Sequence, residues 1–136
     1  MDITQEIADT LAVLYPAITI YRNNQSQGFI EPCFFIKQIQ ATGKEELFNR
    51  QFRNYVYDVL YFPENEKASE CEWMAESLQE RFCYLRDRSL KVINKEHSIS
   101  ENVLHFTFNL KFRAVAETVE TKMQQLTEGA DIKNGN

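Results

Sequence analysis

The chain has 136 residues, of which 43% are hydrophobic, with ten Phe, six Tyr, four Gly and three Pro. This length and composition are typical of one globular domain with its own core and not of a disordered protein. Fifteen basic and twenty acidic side chains give a net charge of −5, which disfavours sequence-independent binding to nucleic acid because few counterions would be released.

The chain opens with a predicted helix followed by a short strand. Apolar residues recur at steps of three and four from Ile3 to Leu14, which predicts an amphipathic helix that ends before Pro16. Residues 17–21, AITIY, are β-branched and predict a first strand. The polar residues 23–28 then predict a turn.

Two further strands are predicted before the middle of the chain, at residues 33–40 and 47–62. Period-two alternation in the second of these suggests one buried and one wetter face. The face expected to be buried carries Phe48, Phe52, Val56, Leu60 and Phe62. The wetter face is expected to carry Gln51, Arg53, Tyr55, Tyr57 and Tyr61.

The second half of the chain predicts a main helix and a hairpin. A single apolar stripe indicates a helix over residues 68–86, and Ser69 with Glu72 has the spacing of a capping box. A strand at residues 90–96 and a second at 104–113 form the predicted hairpin. The side chains expected to be buried under the main helix are Leu104, Phe106, Phe108, Leu110 and Phe112. The side chains of His105, Asn109 and Lys111 are expected to be exposed to solvent.

The predicted fold class is α+β, with an antiparallel or mixed sheet of about four to five strands. The N-terminal helix and the main helix at about residues 68–86 are expected to pack on this sheet. Residues 1–126 are predicted to form a single α+β domain, including a short weak helix after Ala114. Residues 127–136 are predicted to be a polar, flexible C-terminal tail.

The reactive residue types do not form a catalytic pattern. Cys33, Cys71 and Cys83 are odd in number and lack CxxC spacing, so all three are predicted to be free thiols, with Cys33 buried at a strand entry. His97 and His105 have no carboxylate constellation in the sequence, and no glycine-rich phosphate loop exists. The sequence therefore predicts no catalytic, cofactor-binding or metal-binding residues. It also predicts no signal peptide or membrane span, and hence a cytoplasmic protein.

A mixed-charge segment follows the second predicted strand. It contains Lys44, Glu45, Glu46, Arg50 and Arg53. These residues are interpreted either as a solvated hairpin or as a rim that pairs with an identical neighbour. Trp73 is similarly open to two interpretations, covering the sheet edge or binding a partner.

The segments IADTLAVLYP, ITIYRNN, GFIEPCFFIKQI and YVYDVLYFP, with the helix around Trp73 and the closing hairpin, resemble the small tail terminator proteins of Gram-positive long-tailed phages, prophages and phage-tail-like particles. The block from Phe29 to Ile36 carries most of this resemblance. It implies a non-enzymatic virion protein without a cofactor, which assembles as a six-membered ring in the bacterial host cytoplasm. Such a ring caps the tail tube, stops polymerisation of the tube protein and meets the head-side connector or stopper, while DNA passes through its lumen without specific binding.

Two other functions are compatible with the residues. A ligand- or peptide-binding α+β module would use the face of Tyr55, Tyr57 and Tyr61 as its platform. A cysteine hydrolase would use Cys33 with one of the two histidines.

Overall fold

The computed structural model describes residues 2–22, 28–85 and 88–115. Its elements, in chain order, are α1 (Ile3–Leu14), β1 (Thr19–Tyr21), β2 (Cys33–Glu45), β3 (Arg50–Phe62), α2 (Ala68–Arg81), β4 (Tyr84–Leu85), β5 (Leu90–Ser100) and β6 (Val103–Val115). The predicted α+β class is confirmed, with six strands in place of four or five. The predicted tail at 127–136, most of the predicted helix at 114–126 and residues 23–27 of the predicted turn lie outside the described residues.

The six strands form one mixed sheet in the order β1-β2-β3-β6-β5-β4. Strand β1 runs parallel to β2, with Thr19 opposite Cys33, whereas β5 runs antiparallel to both β4 and β6. The β5–β6 hairpin turns at Glu101 and Asn102, whose φ angles are 52° and 61°. Two successive positive φ angles are the pattern of a type I′ turn, whose twist matches that of the flanking strands.

The chain folds into two compact units. The first unit comprises Met1–Thr42 and Asn54–Lys111, and it contains both helices. The second comprises Gly43–Arg53 and the segment that begins at Phe112. Strands β2, β3 and β6 contribute residues to both units. The single domain ending at residue 126 stays a prediction.

The core of the first unit lies between the helices and one face of the sheet. Helix α1 begins at the N-cap Asp2, whose side chain accepts a hydrogen bond from the Gln5 backbone N–H. From β6 the core receives Leu104, Phe106, Phe108 and Leu110, as the alternation predicts. Phe82, just after α2, contacts Phe106 and Phe108 with ring centroids 6.2 and 5.1 Å apart. The facing predicted for these four β6 residues is therefore confirmed.

The facing predicted for β3 is wrong. Tyr57 and Tyr61 are only 1% and 4% exposed and lie in the core, whereas Leu60 and Phe62 are half-buried. The Tyr57 hydroxyl is 3.0 Å from the Thr4 hydroxyl of α1, so its polar atom is satisfied inside the core. The even-numbered face of β3, which was predicted to be buried, also carries Asn54 and Asp58. Polar side chains of this kind are costly to bury.

The other face of the sheet is part aromatic and part polar. Near β1, Phe35 stacks on Tyr21 at 5.1 Å and meets the edge of Phe29 at 5.5 Å. Farther along, the Asn109 amide donates to the Asn54 side-chain oxygen at 3.0 Å. Both faces of β2 are therefore covered at its start, which explains why the residues Cys33, Phe34, Phe35 and Ile36 are all buried.

Several predicted boundaries and the predicted capping box differ from the structure. Strand β2 continues to Glu45, five residues past its predicted end. Helix α2 ends at Arg81 and not near residue 86, because Leu85 pairs with Leu90 in a strand. The predicted capping box is absent, since the N-cap of α2 is Lys67 and no side chain caps it.

Candidate assembly surfaces

The turn between β2 and β3 exposes two large apolar side chains. We define the tip as residues 46–50. Within it, Leu47 is 78% exposed and Phe48 is 83% exposed. Adjacent large apolar side chains that are exposed to solvent often mark an interaction site, so this pair is a candidate contact surface.

The tip has a strained but defined backbone. Phe48 and Asn49 have φ angles of 63° and 59°, and the Arg50 backbone N–H donates to the Leu47 carbonyl at 3.4 Å. This is again the pattern of a type I′ turn. Asn is common in the left-handed region, but a bulky aromatic such as Phe48 is an outlier there. The turn therefore displays Phe48 at an energetic disadvantage, as is common at functional sites.

An ion pair supports the tip within the second unit. The Arg113 guanidinium donates through Nε to Oε1 of Glu46 at 2.9 Å and through Nη2 to Oε2 at 3.4 Å. The hydrogen bond and charge of Glu46 raise the pKa of Arg113. The same guanidinium lies 5.3 Å from the ring centroid of Phe52. Arg113 of β6 thus contacts both the first residue of the tip and a residue of β3.

The structure places all five predicted interface residues in the second unit. Lys44 and Glu45 are exposed at the end of β2, and Arg50 is exposed at the start of β3. Glu46 pairs with Arg113, and Arg53 donates to the Gln51 side-chain oxygen at 2.9 Å. Lys44 and Glu45 do not belong to the turn after the second strand, as their place in the sequence suggests, because β2 continues through Glu45. Their role as a subunit interface stays a prediction.

A second candidate surface lies in the first unit. It is a groove of about 370 Å³ between α1 and the chain around β4. We define the groove by six of its lining residues, Glu6, Asp9, Val13, Arg81, Tyr84 and Arg88. Val13 is 80% exposed and Tyr84 is also exposed, so the groove has apolar as well as charged walls.

The two groove arginines are held in place by neighbouring groups. Arg81 donates to the Leu14 carbonyl at 3.1 Å and lies 5.1 Å from the Tyr15 ring centroid. Arg88 lies 5.4 Å from the ring centroid of Tyr84. The groove therefore presents two oriented guanidinium groups opposite the carboxylates of α1.

The residues considered as catalytic candidates are dispersed. Cys33 is fully buried, and burial, together with the Glu31 charge, raises the pKa of its thiol to about 11, which is unlike an activated nucleophile. His105 does have a carboxylate partner that the sequence did not reveal, Asp58 Oδ2 at 3.3 Å from Nδ1. That pair crosses from β6 to β3, and the Asp58 side chain is only 16% exposed.

Thiol labelling is expected to follow burial. Iodoacetamide should modify native Cys83, which is partly exposed, before it modifies buried Cys33 or Cys71. Cys33 should react only when the protein opens, because its raised pKa also keeps the thiol protonated near neutral pH. Peptide mass spectrometry against time gives the order, with Cys83→Ala as the control. Labelling of Cys33 as fast as that of Cys83 would contradict this prediction.

The tyrosine platform of the binding-module alternative is absent from the structure. Of its three residues, Tyr57 and Tyr61 are in the core, and burial raises the pKa of Tyr61 to about 12. Among residues 2–22, 28–85 and 88–115, no group of three or more His, Cys, Asp or Glu could hold a metal ion. In the same residues, no helix has the length and apolar character needed to cross a membrane.

The exposed apolar tip and the charged groove are typical of a protein that works through contacts with other proteins. The family model described as phage tail terminator protein matches residues 2–122. The chain therefore belongs to the phage tail terminator family, a family of structural proteins, as the sequence resemblance predicts. It is a component of the virion tail that associates with other tail and head–tail components. No curated protein matches the chain.

Sequence reasoning missed the two apolar residues of the tip. The alternation assigns Leu47 and Phe48 to the start of a strand because both are hydrophobic and Phe48 has the parity of Phe52. The available signal is their setting, since charged residues flank them on both sides and Asn49 favours a positive φ. The groove was not predictable, because it joins residues of α1 to residues about 70 positions later.

Proposed function

We propose that this protein ends the growth of the tail tube. Copies assemble as a six-membered ring on the finished tube, block the addition of tube protein and present a surface to the head-side connector or stopper. The observation that carries the proposal is the family match across residues 2–122. The exposed tip and the groove support it, because a subunit of a ring needs two different contact surfaces.

The charge of the chain is compatible with this role. Each copy carries −5, so a ring would repel the phosphate backbone of DNA and let it pass through the lumen without specific binding. The residues Lys44, Glu45, Glu46, Arg50 and Arg53 form part of the proposed contact between copies.

The test is the length of tails in a particle-forming strain that lacks the gene. Tubes should become overlong or fail to join heads, and expression of the wild-type protein should restore both properties. Electron microscopy measures tail length and the fraction of tails bearing heads. Tails of normal length with normal heads in the deletion strain would refute the proposal.

Charge reversal in the hairpin separates an assembly role from a folding role. Glu45→Lys should leave the fold intact but impair tube capping, because Glu45 is exposed at the end of β2. Glu46→Lys should also loosen the hairpin, since it places a second cation beside Arg113.

The control is the exchange Glu46→Lys with Arg113→Glu, which restores an opposite-charge pair. Amide chemical shifts should return to their wild-type values in the hairpin of this double variant. Normal capping by Glu45→Lys would remove Glu45 from the proposed interface.

A further inference from the structure

The tip and the groove of this chain both present exposed apolar side chains. The tip presents Leu47 and Phe48 on a tight turn, and the groove is a concave site whose walls include exposed Val13 and Tyr84. Its volume of about 370 Å³ lies at the lower end of the range for ligand pockets, which suits one or two large side chains. Interface hot spots are typically large side chains that fill well-packed pockets on the partner.

The charges around the two surfaces are complementary as well. Exposed Arg50 is the last residue of the tip, and the α1 wall of the groove carries Glu6 and Asp9. Exposed Glu45 precedes the tip, and the other wall carries Arg81 and Arg88. Each surface therefore offers both signs of charge, which can fix the direction in which the tip enters.

We propose that the tip of one copy binds in the groove of a second copy. The contact is heterologous, because each copy uses its tip toward one neighbour and its groove toward the other. Repetition of such a contact around an axis closes a ring. The inference deepens the proposed function, and it rests on that function only for ring closure.

A second copy is the occupant that the charges favour, because one chain carries both complementary surfaces. The strained φ of Phe48 fits this role, since a turn that holds an aromatic ring outward in the free protein reduces the ordering needed on binding. Another tail protein as the occupant of the groove is an outcome that the test distinguishes.

Two single-surface variants test the proposal. Phe48→Ser removes the aromatic anchor, and Val13→Arg fills the groove with a long side chain at a position that is 80% exposed. Each variant alone should self-associate at least about tenfold more weakly than wild type in analytical ultracentrifugation. Ile39→Ser, at another exposed apolar residue, is the control and should behave as wild type.

Mixing the two variants gives the decisive result. A 1:1 mixture should form heterodimers, because the Phe48→Ser chain keeps its groove and the Val13→Arg chain keeps its tip. The mixture should not form larger rings, since the other two surfaces are blocked. A mixture that associates no better than the separate variants, or a Val13→Arg variant that associates as wild type, would overturn the proposal.

Disulfide trapping provides the test if the contact is too weak to detect by sedimentation. Chains with Phe48→Cys are mixed with larger, tagged chains carrying Val13→Cys, both with Cys83→Ala, and oxidised glutathione is added. The mixed disulfide should form at least about tenfold faster than with Ile39→Cys in place of Phe48→Cys. Equal rates would overturn the proposal.

The outcomes separate this inference from the proposed function. Normal tails in the deletion strain together with a trapped tip–groove contact would refute termination but leave the contact. Overlong tails in the deletion strain with no preference in trapping would leave termination and refute the contact. If Phe48→Ser then still failed to cap tubes, the tip would bind a different tail protein.

Discussion

Replacing Phe108 by Ala is expected to lower the free energy of unfolding by about 3–5 kcal/mol. The Phe108 ring is fully buried and contacts three other rings, those of Phe82, Phe106 and Tyr57. Its removal leaves a cavity between β6 and the segment after α2, which rigid neighbours fill only in part. Most domains have a stability of about 5–15 kcal/mol, so this variant should unfold at a much lower urea concentration.

The matched control is Phe48→Ala, which removes the same atoms from an exposed position. Its free energy of unfolding should stay within about 0.5 kcal/mol of wild type. A loss below about 1 kcal/mol for Phe108→Ala would mean that β6 does not pack under α2 through this ring.

Phe48→Gly is expected to abolish tube capping without lowering stability. Glycine accepts the φ of 63° without strain, so the type I′ turn should form at least as well as in wild type. The variant nevertheless lacks the aromatic ring that the tip exposes. Thermal unfolding and tail length, measured on the same variant, test the two halves of this prediction.

The matched control is Glu101→Gly, at a residue with a φ of 52° in the β5–β6 turn. It relieves a similar backbone conformation but removes no apolar side chain, so tails should keep their normal length. Normal capping by Phe48→Gly would show that the Phe48 ring is not required. Overlong tails with Glu101→Gly would show that glycine in a turn impairs capping without the loss of an aromatic ring.

Local patterns in the sequence predicted most elements of the fold. The apolar stripe of α1 and the alternation of β6 each had one face with no competing polar residue, so their buried sides were assigned correctly as far as Leu110 of β6, whereas Phe112 is only half-buried. The buried face of β3 was predicted wrongly because both faces of this strand mix apolar and polar residues. The covering helices, which lie far away in sequence, decide that Tyr57 faces the core.

The candidate surfaces were less predictable than the fold. The charged residues in the sequence indicated which hairpin carries a candidate contact surface. They did not indicate the residues of its tip, because the position of the tip depends on where β2 ends. That end is set by backbone pairing, with the Glu46 N–H donating to the Arg50 carbonyl at 2.8 Å. The ion pair of Glu46 joins residues 67 positions apart and leaves no local signal.

The unequal lengths of β1 and β2 leave part of the sheet able to accept a further strand. Strand β1 covers only Cys33, Phe34 and Phe35, so from Ile36 to Glu45 no strand of the described residues pairs with that side of β2. Every second backbone amide along this stretch points away from β3, and these amides should exchange with solvent faster than their neighbours. Lys37 and Lys44 lie on this open stretch. Lysines at the edge of a sheet disfavour pairing with the unpaired edge of another copy, so they protect the free protein from fibrous aggregation.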